Sequence, residues 1–95
     1  MTDTQKQICH RICKHYGIES QRRQLVEECA ELIQAITKLE RYNEDIKELN
    51  NLFSEIADVE IMLEQIKDYY SNWSTEKLID YKLNRQLERI TKERG

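Results

Sequence analysis

The chain has 95 residues, of which 35% are charged and 39% are hydrophobic, and it contains no proline. A chain of this length, residues 1–95, forms one small domain that buries little surface alone, so we expect association with a second copy, as a homodimer or homotetramer. The composition is typical of long amphipathic helices, not of a sheet or a disordered tail. The net charge of −3 provides no basic surface, so no nucleic-acid partner is expected.

The N-terminal segment MTDTQKQICHRICKH is polar, and no stretch of the chain is apolar enough for a signal peptide or a membrane span. We therefore expect a cytoplasmic protein with no membrane partner. The three cysteines, Cys9, Cys13 and Cys29, are odd in number, and Cys29 belongs to an apolar helical stripe. Free, reduced thiols are expected instead of a disulfide framework.

The first two predicted helices are separated by a short connection. The first begins near Thr4 and ends at Gly17, because glycine tolerates the positive φ that follows many helices. The second covers about residues 21–41 and begins after Ser20, whose hydroxyl can cap it.

The third predicted helix covers about residues 44–70, with Asn43 as its cap. Its short connection to the second helix predicts an antiparallel pair. After a break rich in aromatic residues, a last helix begins at Ser74 or Thr75 and continues to about Glu93. Its predicted core stripe consists of Ile79, Leu83, Leu87 and Ile90. The fold class predicted is therefore all-α, a helical bundle built on an antiparallel pair and completed by oligomerisation.

Two segments, residues 25–39 and 52–66, repeat one pattern at an offset of 27 residues. Both have apolar residues at spacings of four, three, four and three, which defines one helical stripe in each. The repeat also pairs acidic residues, namely Glu28 with Glu55 and Glu31 with Asp58. Each acidic pair lies one turn apart beside its stripe, so the four carboxylates meet if the stripes pack together.

Four clustered carboxylates repel one another, by up to about 4 kcal/mol for each close pair at an effective dielectric of 20. A divalent cation reverses the sign of that energy. Ligands that are all carboxylate oxygens suit Mg²⁺, Mn²⁺ or Ca²⁺ better than Zn²⁺ or copper. The other interpretation is that both acidic pairs are solvated edges of amphipathic helices, since glutamate is a common helix residue.

The combined motifs resemble those of the MazG-like, all-α NTP pyrophosphohydrolases. The similarity covers about residues 16–90 and has three parts: the EExxE motif that starts at Glu27, the ExxD motif of Glu55 and Asp58, and Lys82 with Arg85 in the last helix. The resemblance implies a helical oligomer that cleaves a nucleoside triphosphate between its α and β phosphates, releasing the monophosphate and pyrophosphate.

The resemblance also implies roles for individual residues. The four paired acids match Mg²⁺ ligands, with Mn²⁺ a possible substitute, and Lys82 and Arg85 match basic residues that face phosphate oxygens. Glu27 either contacts a metal, orients the attacking water or is an exposed acid. Water is the expected nucleophile, because no Ser–His or Cys–His pair has suitable spacing. A carboxylate or a metal-bound hydroxide accepts its proton.

A different class of function is a non-catalytic helical oligomerisation or interaction module, which the regular apolar spacing and high charge also fit. Such a module predicts that the acids can be exchanged without loss and that Mg²⁺ changes neither stability nor activity.

Overall fold

The computed structural model describes residues 1–94, which form four α-helices and no strand. The helices are α1 (Asp3–Tyr16), α2 (Ile18–Arg41), α3 (Ile46–Tyr69) and α4 (Glu76–Arg94). The prediction of an all-α fold is confirmed. None of these helices is both long and apolar enough to span a bilayer.

The start of α1 is fixed by a reciprocal pair of hydrogen bonds. The backbone N–H of Gln5 donates to Thr2 Oγ1 over 3.1 Å, and the Thr2 N–H donates to Gln5 Oε1 over 2.8 Å. This capping box satisfies two backbone donors that the first turn would leave without partners. The helix therefore begins at Asp3, one residue earlier than expected.

Gly17 ends α1 and also begins α2. Its N–H donates to the carbonyl of Cys13 over 2.8 Å, while its own carbonyl accepts from the N–H of Gln21 over 3.1 Å. The φ of +88° at this residue is readily reached only by glycine. The prediction that Ser20 caps α2 is wrong, because this turn at Gly17 lets the helix start at Ile18.

The turn between α2 and α3 uses two residues with positive φ, Asn43 at 53° and Glu44 at 59°. The Glu44 N–H donates back to the carbonyl of Leu39 over 2.9 Å, which closes the end of α2. The prediction that Asn43 caps α3 is therefore wrong, because its left-handed backbone belongs to the end of the preceding helix. The third helix begins at Ile46, after Asp45.

The core lies where α1 packs across the α2–α3 pair, which is antiparallel because the start of α2 meets the end of α3. Its buried apolar side chains come from all three helices: Cys9, Cys13, Ala35, Val59 and Met62. All three cysteines are free, and Cys29 is half-buried. The core also holds two buried amides, Gln21 and Gln65, whose side chains bond to each other.

Helix α4 packs against none of the other three helices, and every one of its residues is exposed. Its apolar stripe, predicted to be a core face, is uncovered: Ile79 is 50% exposed, Leu83 53%, Leu87 61% and Ile90 47%. The aromatic break before it is open as well, since Trp73 is 82% exposed. In a single chain, residues 1–70 hold the packed structure and α4 stands apart.

Candidate metal centre

Three of the predicted ligands meet at the seam between α2 and α3. Glu28 and Glu31 come from α2 and Glu55 from α3, and one carboxylate oxygen of each lies within 4.8 Å of the other two. A spacing of three residues puts Glu28 and Glu31 on neighbouring positions of one helix surface. The α2–α3 packing then brings Glu55 to the same point. Among residues 1–94 this is the one group of acidic, histidine or cysteine side chains close enough to hold an ion.

Two oxygens of this acidic group are buried without a hydrogen-bond partner, namely Oε2 of Glu28 and Oε2 of Glu55. The other oxygen of Glu28 accepts a bond from Gln24 Nε2 over 2.8 Å. A buried carboxylate oxygen without a partner costs on the order of 1–3 kcal/mol or more. Hard oxygen donors in this state are suitable ligands for Mg²⁺. The residues present therefore fit the expected cation.

Gln24 is a contributor that the sequence did not reveal. It lies one turn before Glu28 on α2, at the i, i+4 spacing where amide and carboxylate side chains meet. That spacing is visible in the sequence, but it is too common among helices to identify a functional residue.

Asp58 is half-buried and does not belong to the group of three. The sequence repeat makes Asp58 the counterpart of Glu31. Equivalent positions in two antiparallel helices advance in opposite directions, however, so a repeat alone does not bring all four carboxylates to one point.

Glu27 and Glu60 lie outside the acidic group. Glu27 is exposed on α2, next to Glu28 in sequence but rotated by about 100° around the helix. Glu60 is also exposed and lines a cleft between α1 and α3, beside Ile61.

Lys82 and Arg85 lie on α4, away from the acids of the same chain. The Arg85 guanidinium carbon is 5.8 Å from the centre of the Tyr81 ring. This distance allows a cation–π contact on the exposed surface of the helix. A single chain therefore does not bring the predicted phosphate-binding residues to the predicted metal ligands.

Polar and ionisable side chains also meet at the α1–α3 contact. His10 Nδ1 and Asp68 Oδ2 are 2.6 Å apart, which links the two helices at the surface. Burial raises the pKa of the Cys9 thiol, with smaller contributions from the negative charges of Glu64 and Asp68. Burial likewise raises the pKa of Cys13, again with Asp68 adding to the effect. Both thiols stay protonated near neutral pH and act as small apolar groups.

No protein family model, curated protein or solved structure matches this chain.

Proposed function

We propose that the protein is a Mg²⁺-dependent nucleoside triphosphate pyrophosphohydrolase, which cleaves NTP or dNTP between the α and β phosphates. The observation that carries the proposal is the meeting of Glu28, Glu31 and Glu55, two of which have buried oxygens without partners. Such a group is costly in the absence of a cation. It also comprises three of the four acids that the MazG-like motif assigns to the metal.

In this proposal the carboxylates of α2 and α3 hold Mg²⁺, with Mn²⁺ as a substitute. The bound cation supplies charge neutralisation and polarisation of the phosphate. Asp58, half-buried one turn after Glu55, completes the ligand set when the substrate complex draws its carboxylate inward. Glu27, exposed beside the site, orients the attacking water or accepts its proton. Attack on the α phosphorus breaks its bond to the bridging oxygen and yields the monophosphate and pyrophosphate.

Lys82 and Arg85 bind phosphate oxygens in this proposal, and they need a second chain to reach the acids because α4 stands apart in its own chain. The active form is therefore a homodimer or homotetramer. The free thiols fit a reducing compartment, which supports action in the cytoplasm.

The test measures pyrophosphate and phosphate release separately, over a panel of ribonucleoside and deoxyribonucleoside triphosphates with Mg²⁺. We expect pyrophosphate and monophosphate in equal amounts with at least one substrate. Glu28→Gln should abolish most turnover, because it keeps the shape of the side chain but removes its charge. The matched control is Glu40→Gln, an exposed acid on the same helix, which should retain activity. Release of phosphate alone, or full activity in Glu28→Gln, contradicts the proposal.

A second candidate is a non-catalytic helical oligomerisation or interaction module. The observation that favours it is the large exposed apolar surface, including Val26 at 70%, Phe53 at 64% and the α4 stripe. Such surfaces mark sites of association with other chains. For this class we expect association that does not change in Glu28→Gln, and no pyrophosphate release with any nucleotide of the panel.

A further inference from the structure

One side of the α2–α3 pair is apolar and uncovered. Helix α2 presents Val26, Ile33 and Ile36, which are 70%, 65% and 44% exposed, and α3 presents Ile56, half-buried, and Leu63, 43% exposed. We call these five residues the open face. Helix α1 packs against the other side of α3, at Ile61 and Asp68. Leu63 points about 160° away from Ile61, since two residues advance about 200° around a helix.

A hydrogen bond between Arg22 and Tyr70 indicates that the apolar residues of α2 and those of α3 lie on the same side of the helix pair. Arg22 Nη1 donates to Tyr70 Oη over 2.6 Å, across from α2 to α3. Arg22 precedes Val26 by four residues, and Tyr70 follows Leu63 by seven, so each lies on the same helical face as its neighbour. The Arg22–Tyr70 bond therefore lies at one end of the open face, to which both helices contribute.

The second uncovered apolar surface is the α4 stripe, formed by Ile79, Leu83, Leu87 and Ile90. Helix α4 has 19 residues, about 28 Å in length, whereas α2 and α3 have 24 each, about 36 Å. The open face covers about 15 Å of α2, from Val26 to Ile36, and the stripe covers about 17 Å, from Ile79 to Ile90, so the two are similar in length. In proteins most of the stability of an amphipathic helix comes from packing of its apolar face, so α4 needs a surface to pack against.

The charges of the two parts are complementary. Residues 1–75 hold 9 of the 15 Lys and Arg residues and 14 of the 18 Asp and Glu residues, which gives a net charge of −5. Residues 76–95 hold the other 6 basic and 4 acidic residues, which gives +2. A basic helix with an apolar stripe is expected to favour an acidic partner that has an exposed apolar face. Both features occur in this one sequence, but α4 contacts no helix of its own chain, so the partner that supplies the complementary surface is a second copy.

We infer that α4 of each copy docks into the open face of the other, in a dimer with two-fold symmetry. The exchange is reciprocal, so both open faces and both stripes are covered. No copy of either surface is left to bind a third chain. It gives α4 the packing that its own chain does not provide. The inference stands on exposed surfaces and charge, and holds whether or not the chain hydrolyses nucleotides.

The test uses the natural Cys29, which is half-buried on α2 between Val26 and Ile33. Cysteine is introduced into the full chain at one α4 position at a time, as Ile79→Cys, Leu83→Cys or Leu87→Cys, followed by mild oxidation. We expect at least one to form an interchain disulfide with Cys29, at twice the chain mass in non-reducing electrophoresis. The matched control, Glu88→Cys, lies on the opposite side of α4 from the stripe and should not form this crosslink.

Three results would overturn the inference. A disulfide within one chain means that α4 folds back on its own open face. A crosslink that persists after Cys29→Ser means that two α4 helices pair with each other. A monomer by light scattering at micromolar concentration means that the open face is not covered by a second copy.

A second measurement does not depend on disulfide geometry. The double variant Leu83→Gln, Leu87→Gln changes exposed residues outside the α1–α3 core, so those helices should keep their circular dichroism signal. Its dimer dissociation constant should rise about a hundredfold or more, because both copies of the symmetric dimer lose two apolar contacts. Glu88→Gln should not raise the constant, because it changes no residue of the stripe and makes α4 more basic. An unchanged constant in the double variant contradicts the docking of α4.

Discussion

Gln21 donates its Nε2 hydrogen to Oε1 of Gln65 over 2.9 Å, and both side chains are buried, at 6% and 1% exposure. The bond joins the start of α2 to the end of α3. The amide of Gln65 has only a weak further contact, with the sulfur of Met62 at 3.8 Å. Two amides in an otherwise apolar junction depend on each other, because losing one leaves the other unsatisfied.

The first prediction concerns this amide pair. Gln21→Leu and Gln65→Met should each lower the free energy of unfolding by about 1–3 kcal/mol, the cost of a buried amide without its partner. The double variant should lose less than the sum of the two, because it removes both polar groups. Urea unfolding of the four proteins in this cycle is the measurement. Additive losses would show that the bond does not couple the helices.

The second prediction concerns the acidic group. Near-saturating Mg²⁺ or Mn²⁺, at about 100 times its dissociation constant, should raise the free energy of unfolding by about 2.7 kcal/mol. This corresponds to roughly 10 °C or more in melting temperature. Glu28→Gln should reduce that gain, yet leave the metal-free protein equally or more stable, because one repulsive charge is gone. A large loss of metal-free stability in Glu28→Gln would identify Glu28 as a structural residue.

The third prediction separates Asp58 from the three clustered glutamates. If Asp58 joins the metal ligands only in the substrate complex, Asp58→Asn should lower kcat strongly and change the metal-induced rise in melting temperature little. Glu55→Gln should lower both. Kinetics and melting curves on the same preparations distinguish the two variants. Equal losses of metal stabilisation would place Asp58 with the glutamates in the substrate-free site.

The fourth prediction concerns α4. Lys82→Ala should raise KM or lower kcat for a triphosphate while leaving metal-induced stabilisation intact, because it removes a phosphate contact and no metal ligand. Lys77→Ala, another exposed lysine on α4, is the matched control and should resemble the unchanged protein. Equal KM and kcat values in the two variants would show that Lys82 does not contact the triphosphate.

The fifth prediction is a pH dependence. Burial raises the pKa of Cys9 and Cys13 above the ordinary value of 9.0. Both thiols therefore ionise more readily in the unfolded chain. The free energy of unfolding is therefore unaffected by the ionisation of these thiols below about pH 9. It declines as the pH rises from there towards the pKa values of the thiols in the folded protein. Urea unfolding at neutral pH and near pH 10 should show this decline, and the double variant Cys9→Ala, Cys13→Ala should show a smaller one.

Apolar periodicity and turn residues in the sequence were sufficient to predict four helices, and the short connection predicted the antiparallel α2–α3 pair. These features did not predict the start of α2, since the φ of Gly17 replaces a side-chain cap. The meeting of Glu28, Glu31 and Glu55 follows from the repeat and from the packing of its two stripes. The separation of Asp58 and the exposure of the α4 stripe depend on the relative placement of whole helices, which periodicity within one helix does not describe.

Gly17 is the sole residue between α1 and α2. Two rotatable backbone bonds, φ and ψ of Gly17, are therefore the main freedom that α1 has relative to the rest of the bundle. For α1 to move away from α3 about this residue, both the His10–Asp68 contact and the burial of Cys9 and Cys13 must be lost. Such a motion would uncover Cys9 and Cys13 together, so the two thiols would gain solvent access in one cooperative event.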